Sequence, residues 1–399
     1  MTEYQATVLQ LLSKALFKRN VEVEKTNWLE VLKEAQSQAV TQLVYSVLDK
    51  SLLTPEEAKQ WKLSSSATIS DNIRILHNHS LLHEWMTDAH IPYVVLKGAA
   101  SASYYPIPSY RSMGDVDFLV RKEDLDRAGK VLEEKGLTPW DEEHISHIVY
   151  RGPKKHYEMH FNLAGTPHGD AGELVRDYTA DVFEKATVKK IGVGEAVLPA
   201  PFHHGLILLL HTCHHLTGEG VGLRHLCDWA AFENGLSDDE FRELFEEKLK
   251  ALGLWRFAQI LTRLSIRYLG AEDREWAVAE DVIVGNLMED ILTGGNFGKK
   301  DSDRGMYAAF LSDRGKDGVG NTSMAGQFRK SINDMIYRYW PAAKKYKILL
   351  PIGWVYFGAR RVLMEMTGKR KKTDIGRFMG GATERRNLYK QFHLYEAEP

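Results

Sequence analysis

Two aspartates separated by one residue carry the clearest chemical pattern in this sequence. Asp115 and Asp117 stand in the run Asp-Val-Asp-Phe-Leu-Val at 115–120. The alternation of polar and apolar residues predicts a strand with both carboxylates on one face. Carboxylates this close repel each other, and a divalent cation is the usual partner that offsets the repulsion. The plain structural alternative is an edge strand whose acids are solvated.

The residues upstream of the acids predict a phosphate-binding unit. Residues 93–96 form a short β-branched and aromatic run, which is typical of a buried strand. Lys97 and Gly98 follow, and small residues that include Ser101 then suit the first turns of a helix. Because a helix N-terminus offers free backbone N–H groups, it can bind phosphate. A phosphate cradle followed by metal-binding acids indicates phosphoryl or nucleotidyl transfer.

This stretch resembles the core of the DNA-polymerase-β-like nucleotidyltransferase superfamily. That pattern is an apolar strand, a Gly-Gly or Gly-Ser turn, a helix and a strand with Asp-x-Asp. More narrowly, the Leu-Lys-Gly start and the Arg-x-x-x-Asp-x-Asp strand that begins at Arg111 are similar to a group of bacterial nucleotidyltransferase-like proteins. Two features depart from the superfamily pattern: Ala99 replaces the second Gly or Ser, and the gap from Gly98 to Asp115 is longer than in compact members.

The resemblance implies an α+β protein with the nucleotidyltransferase fold, a small mixed sheet with helices, flanked by helical regions. It also implies transfer of a nucleoside monophosphate from a nucleoside triphosphate to an acceptor oxygen, with pyrophosphate leaving. Asp115 and Asp117 would then hold two Mg²⁺ ions about 4 Å apart. The acceptor is left open and includes small molecules, RNA and protein.

A third carboxylate is implied on a later strand beside the Asp-x-Asp strand. In the predicted strand Lys155 to Leu163, alternation places His156, Glu158, His160 and Asn162 on one face. Glu158 is the best match for the third metal ligand and for the acceptor's base. An exposed face of mixed polar residues is the structural alternative.

The same resemblance assigns the nucleotide-binding residues. Gly98 lets the backbone approach the phosphates, Ser101 offers a hydroxyl, and Lys97 and Arg111 are the cations expected at the triphosphate. His160 is expected either to line this site or to be the partner of a carboxylate.

Histidines later in the chain allow two interpretations. His211 and His215 lie four residues apart on a predicted helix, which invites a zinc site, although the paired C-x-x-C spacing of structural zinc sites is absent. The resemblance instead implies a helical subdomain over the active site, with His211, His215, Arg224 and Asp228 lining it. Arg224 and Asp228 could equally form an ordinary i,i+4 ion pair.

Composition and hydropathy divide the chain into four predicted regions. These are an N-terminal helical region at 1–90, a catalytic domain at 91–200, a helical subdomain at 201–326 and a basic helical tail at 327–399. Within them, apolar spacing predicts helix over 27–49 and a long helix over 67–89, Thr54 marks a helix start, and a strand is predicted from Glu142 to Tyr150. A glycine-rich surface loop is predicted at 294–322 around a short helix at 306–311. The tail has 16 Lys or Arg and 4 Asp or Glu between 327 and 390, a net +12; since the whole chain is −2, the rest is near −14.

Charge and hydropathy also bear on partners and compartment. The basic, aromatic tail could bind nucleic acid, contact an anionic membrane surface or dock on the acidic body. Two cysteines and the absence of a signal-peptide pattern suit the cytoplasm, and no apolar run is long enough to span a bilayer. The alternative to an enzyme is a non-catalytic nucleotide-binding or nucleic-acid-binding protein on the same fold, which Ala99 permits.

Overall fold

A mixed sheet carries the acid pair, and helices surround it on the chain before and after. The structure is a computed structural model and describes residues 1–140, 146–301, 303–305, 307, 324–340, 342–367 and 375–397. Within these ranges the helices are α1 Glu3–Phe17, α2 Trp28–Ser37, α3 Thr41–Val47, α4 Pro55–Asp88, α5 Ala99–Ala102, α6 Leu125–Glu134, α7 Gly169–Tyr178, α8 Pro201–Thr217, α9 Leu223–Glu233, α10 Asp238–Leu252, α11 Trp255–Leu264, α12 Asp281–Gly294, α13 Met324–Tyr339, α14 Ala342–Lys345, α15 Leu349–Met366 and α16 Ile375–Gln391.

Five strands form the main sheet in the order β1-β2-β5-β4-β3, and two more form a separate hairpin. The strands are β1 Tyr93–Val95, β2 Val116–Val120, β3 Thr138–Pro139, β4 His147–Gly152, β5 Lys155–His160, β6 Thr187–Ile191 and β7 Gly194–Leu198. β2 pairs parallel with β5, whereas its pairing with β1 is antiparallel. The predicted α+β class is therefore confirmed, with a mixed sheet at its centre.

One long helix supports this sheet. Thr54 caps α4 by accepting from the Glu57 N–H, and the Glu57 carboxylate accepts from the Thr54 N–H at 2.9 Å. The sequence suggested a helix start at Thr54 and a separate long helix at 67–89, but the structure joins them into 34 residues. The C-terminal half packs against the sheet, where Leu82 and Met86 share a core with Phe118.

The chain between α2 and α3 departs from the single helix predicted for residues 27–49. Ala39 adopts a φ of +57°, and Gln38 beside it is fully buried. The Gln38 amide donates to the Ile291 carbonyl at 3.2 Å and accepts from the Leu223 N–H at 2.9 Å. These long-range hydrogen bonds join Gln38, at the end of α2, to α9 and α12. The helix α2 therefore ends there.

Two cores divide the described residues of the body. The larger core joins α1–α3 to α8–α12, and the smaller one lies between α4 and the main sheet. Residues 1–90 therefore contribute to both cores. A third, minor cluster in the tail contains Ile336, Ala343 and Phe357. The four-region division remains a prediction.

Parts of two predicted elements fall outside the described residues. The strand expected from Glu142 begins at His147, and 141–145 are not described. The short helix expected at 306–311 and most of the loop at 294–322 also lie outside them. Among the helices that are described, no segment has both the length and the apolarity required to cross a membrane.

Candidate active site

The acid pair and Glu158 come together on neighbouring strands. β2 and β5 run parallel with Asp117 directly opposite Glu158, and Asp115 immediately precedes β2. Asp115 and Asp117 are two residues apart on the extended chain, so their side chains share a face, and the Asp117 charge acts on Asp115. Single side-chain atoms of Asp115, Glu158 and His156 lie within 4.8 Å of one another. The structure thus gathers three carboxylates into one cluster.

Asp117 is the buried centre of this cluster, 2% exposed. Lys97 Nζ lies 2.8 Å from Asp117 Oδ1, and His160 Nε2 lies 3.2 Å from the same oxygen. Burial opposes the charge of Asp117, but the Lys97 ammonium and the His160 hydrogen bond outweigh burial and hold its pKa well below the usual value. Asp117 therefore stays ionised.

Asp115 has the opposite electrostatic behaviour. Burial, followed by the neighbouring Asp117 charge, raises the pKa of Asp115 to about 7. The pKa of Asp115 is raised while that of its neighbour Asp117 is lowered. This divergence indicates that the positively charged side chains of the protein do not neutralise both carboxylates. Lys97 supplies one compensating charge, and its own pKa is raised because Asp117 and Asp115 outweigh its burial.

His160 bridges two acids from beneath the cluster. Its Nε2 lies 3.2 Å from Asp117 and 3.6 Å from Glu158 Oε2, and the residue is 1% exposed. Burial alone would lower its pKa, but the hydrogen bond to Asp117 and the nearby Glu158 carboxylate raise it. Of the two roles that the sequence allowed, the structure places His160 as a carboxylate partner rather than as a residue lining an open site.

Two further histidines beside Glu158 were not among the predicted site residues. His147 stands opposite His160 in the β4–β5 register, and side-chain atoms of His147, Glu158 and His160 lie within 4.8 Å of one another. His156 lies on the same face of β5 as Glu158, and its Nε2 is buried without a hydrogen-bond partner among the described residues. Alternation along β5 already indicated His156; only the β4 register reveals His147.

The loop that delivers the acids is anchored from two sides. On one side, the Asn72 amide of α4 donates to the Ser109 carbonyl at 2.8 Å and accepts from the Met113 N–H at 3.0 Å. On the other side, Arg111 binds Asp228 of α9. These contacts hold the loop just before β2, so they orient Asp115 and Asp117.

The position of Arg111 differs from its predicted role at the triphosphate. Its Nε lies 2.7 Å from Asp228 Oδ1 and its Nη2 lies 2.6 Å from Oδ2, with both residues about 5% exposed or less. The Tyr105 hydroxyl donates to the same Asp228 carboxylate at 2.7 Å. Although burial opposes the charge, Asp228 raises the pKa of Arg111. Arg111 therefore anchors the loop to α9, and the Asp228 carboxylate pairs with Arg111 instead of lining a cleft.

Gly98 and Ser101 lie against the interior. Gly98 has a φ of +57°, and a Cβ placed there would lie 3.1 Å from Nε2 of the buried His79, so only glycine fits without strain. Ser101 is 1% exposed and its Oγ has no described hydrogen-bond partner. The helix α5 that follows Gly98 is only four residues long.

Arg224 is the cation that the structure places near the acids instead of Arg111. The Asp115 charge acts on Arg224, its Nη1 lies 3.5 Å from the Ser112 carbonyl, and its Nε is buried without a described partner. It also stacks over the Phe297 ring at 5.1 Å. The alternative i,i+4 pair with Asp228 does not form, because Asp228 is held by Arg111.

A histidine cluster forms part of the same wall. Side-chain atoms of His211, His215 and His225 lie within 4.8 Å of one another. Burial, with the nearby Lys97 charge contributing, lowers the pKa of His211 well below its usual value, so α8 faces the site. His225 Nδ1 accepts from the Gly222 N–H at 3.2 Å. A neutral imidazole that accepts at Nδ1 carries its proton on Nε2, so His225 is a donor rather than a zinc ligand.

A cavity of about 250 Å³ opens beside the acids. Its lining joins α4 and the β4–β5 turn to Gly114, the residue before Asp115. Three of the lining side chains are cationic: Arg74, Lys154 and Lys155; His156 is also part of the wall. The acids therefore adjoin a concave, positively charged surface.

Comparison with known proteins places the chain in a family. A family model described as an uncharacterised nucleotidyltransferase matches residues 24–270, which is more than half of the chain. The match includes every described strand and ends before α12, so the basic tail lies beyond it. No curated protein and no solved structure matches the chain. The chain therefore belongs to the uncharacterised nucleotidyltransferase family.

Proposed function

We propose that this chain is an active Mg²⁺-dependent nucleotidyltransferase of the DNA-polymerase-β-like superfamily. It transfers a nucleoside monophosphate from a nucleoside triphosphate to an acceptor oxygen, and pyrophosphate leaves. The observation that carries this proposal is the convergence of Asp115, Asp117 and Glu158 from two adjacent parallel strands. The family match supports nucleotide transfer as the reaction class.

The donor set fits Mg²⁺. Carboxylate oxygens are the ligands that Mg²⁺ takes from proteins, and the raised pKa of Asp115 reflects a cluster in need of more positive charge. Asp115, Asp117 and Glu158 would hold the ions. When bound, Mg²⁺ supplies charge neutralisation at the phosphates and makes the acceptor hydroxyl more acidic.

The protein's own cations orient the triphosphate. Lys97 stands at the cluster, and Arg224 faces it from α9. Arg74, Lys154 and Lys155 line the adjoining cavity, which can take the rest of the polyphosphate. Since Lys97 is held as an ammonium ion against Asp117 and is not a nucleophile in that form, the rate enhancement comes from positioning and charge neutralisation.

Glu158 is placed to take the proton of the acceptor. Its side chain is 19% exposed, whereas that of Asp117 is 2% exposed, so an incoming hydroxyl can reach Glu158 more easily than Asp117. His160 fixes its orientation from below at 3.6 Å. The neutral histidines of α8 and α9 form the facing wall.

The Lys97–Asp117 ion pair favours a second candidate function. Lys97 already neutralises the oxygen of Asp117 that a cation would use, at 2.8 Å. Together with Ala99 in place of a Gly or Ser, this supports a protein that binds nucleotide without transferring it. In this case nucleotide binding persists without Mg²⁺ and depends on Lys97.

Paired aspartate substitutions test the proposal. The double variant Asp115→Asn with Asp117→Asn should lose Mg²⁺-dependent binding of a non-hydrolysable ATP or GTP analogue, measured by calorimetry. Because Asp117 is buried against Lys97, circular dichroism must first show that the variant is folded. It should also lose pyrophosphate release from the four natural triphosphates. Asp126→Asn is the matched control, because Asp126 is an exposed acid on α6 away from the cluster.

The outcomes separate the two candidates. Pyrophosphate release by the wild type that disappears in the double variant supports transfer. Nucleotide binding that is equal with Mg²⁺ and with EDTA, without pyrophosphate release, favours the non-catalytic protein, and Lys97→Met should then abolish binding. Transfer that survives in the folded double variant means that these acids do not hold the metal.

A further inference from the structure

The outward face of α15 is apolar along its length. Ile348, Ile352, Val355 and Leu363 follow the helical spacing of three and four residues, and they are 79%, 57%, 74% and 62% exposed. Ala359 occupies the remaining position of this stripe and is also exposed. Residues at such spacing lie on one side of a helix. The apolar stripe of α15, defined by these five residues, therefore faces solvent in the isolated chain.

The opposite side of the same helix is already buried. Gly353 and Phe357 pack inward, and Phe357 belongs to the minor core with Ile336 and Ala343. A Cβ at Gly353 would lie 2.8 Å from Ile336, so α13 and α15 are in close contact. The helix α15 thus packs on the protein through one face. The apolar stripe on its other face is available to a partner outside the described chain.

The surroundings of the stripe are strongly basic. Residues 341–372 contain nine Lys or Arg and one Asp or Glu, a net charge of +8. Lys344, Lys345 and Lys347 precede the helix and are exposed, and Arg360 is exposed beside the stripe. Four further cations at 369–372 follow in the sequence, outside the described residues. The partner must therefore combine negative charge with an apolar interior.

We propose that α15 lies on an anionic lipid bilayer, with the apolar stripe in the acyl boundary and the flanking cations at the headgroups. This arrangement is that of an interfacial amphipathic helix. Tyr346 and Tyr356 are exposed next to the stripe, and such aromatic residues favour the membrane interface. Nucleic acid would complement the positive charge around α15 but would not bury the apolar stripe, because branched aliphatic side chains gain no favourable contact with phosphates or sugars.

Flotation of the full-length protein with lipid vesicles tests this inference. The protein should float with vesicles of 30% phosphatidylserine and 70% phosphatidylcholine, and not with pure phosphatidylcholine. Ile352→Ser with Val355→Ser should lower the partition coefficient by at least roughly tenfold, because apolar area leaves the membrane. Lys344, Lys345 and Lys347 changed together to Gln should lower it by roughly 100-fold.

The matched control is Val278→Ser with Val282→Ser. Both valines are 70% exposed on the body, so the change has the same chemistry at a place remote from the stripe. This variant should float like the wild type. Circular dichroism should show that all variants fold equally.

Three results would overturn the proposal. The first is no flotation with anionic vesicles, and the second is flotation that the α15 substitutions leave unchanged. The third is that the same substitutions abolish binding to RNA or self-association while lipid binding is absent. The proposal does not depend on nucleotide transfer, since the aspartate variants of the active site should float as the wild type does.

Discussion

Replacing Asp228 by asparagine should strongly destabilise the protein. Asp228 accepts two hydrogen bonds from Arg111 and one from Tyr105, at 2.6 to 2.7 Å. All of these residues are at most 5% exposed. The substitution keeps the shape of the side chain but leaves the Arg111 guanidinium buried without its counter-ion.

The magnitude follows from that burial. Removing one member of a buried ion pair costs about 3–5 kcal/mol, because the remaining charge is uncompensated. Replacing both members by apolar residues avoids this penalty, so Arg111→Met with Asp228→Leu should recover most of the free energy of unfolding. The double variant should still transfer nucleotide poorly, since the loop that positions Asp115 has lost its anchor to α9.

Urea unfolding provides the assay. Trp229 is adjacent to Asp228 and 1% exposed, and it is one of nine tryptophans whose combined fluorescence reports global unfolding. Glu184→Gln is the control: Glu184 pairs with Arg121, with both side chains at least one-third exposed, and its loss should cost less than about 1 kcal/mol.

One pattern of results would refute the anchoring role of Arg111. In this pattern, the free energy of unfolding of Asp228→Asn lies within about 1 kcal/mol of the wild-type value. In addition, Arg111 variants keep their stability but bind a triphosphate analogue weakly. Arg111 would then contact the nucleotide, as its place in the Arg-x-x-x-Asp-x-Asp motif first suggested.

Two further predictions concern stability. Gly194→Ala should lower the free energy of unfolding, measured by urea denaturation, by about 1–3 kcal/mol, because the new Cβ would lie 2.4 Å from the Leu76 carbonyl oxygen. Gly285→Ala is the control: a Cβ there would have nothing within 4 Å, so the substitution should slightly raise the free energy of unfolding. Burial lowers the pKa of His79 to about 4 and of His204 to about 3, so the unfolded chain takes up protons below pH 6.5 that the native chain does not. Each of these two histidines should therefore lower the free energy of unfolding by about 2 kcal/mol between pH 8 and pH 5, whereas Asp115, whose pKa is raised to about 7, opposes this by taking up a proton in the native chain. The fall should be smaller by about 2 kcal/mol in His204→Phe than in the wild type, and the same pH dependence in both proteins would contradict this.

Local pattern was sufficient for much of the fold. Alternation at 115–120 and 155–160 predicted two strands, and the capping residues at Thr54 predicted the start of α4. The same alternation assigned Asp115, Asp117 and Glu158 to faces of their strands. These features depend on neighbours one to four residues apart, which the sequence displays directly.

Two details of the local pattern misled. The apolar spacing over residues 27–49 continues without interruption, yet the helix breaks near Ala39, since the Gln38 amide is bound by chain more than 180 residues away. The segments before and after residue 67 were predicted as separate helices, yet they form one, because Ser64 and Ser65 in the polar turn between them are hydrogen-bonded to Gln36 and Gln42.

The sequence by itself determined which residue types stand on which face, including the acids and the basic stretch around α15. Only the tertiary structure decided the partners: Arg111 with Asp228, Arg224 facing Asp115, and Glu158 opposite Asp117 in a parallel register. The physical reason is range. The face on which a side chain lies follows from the local backbone period. Its partner depends on how elements distant in sequence pack into one core. The pairing of side chains across that core leaves little buried charge unpaired.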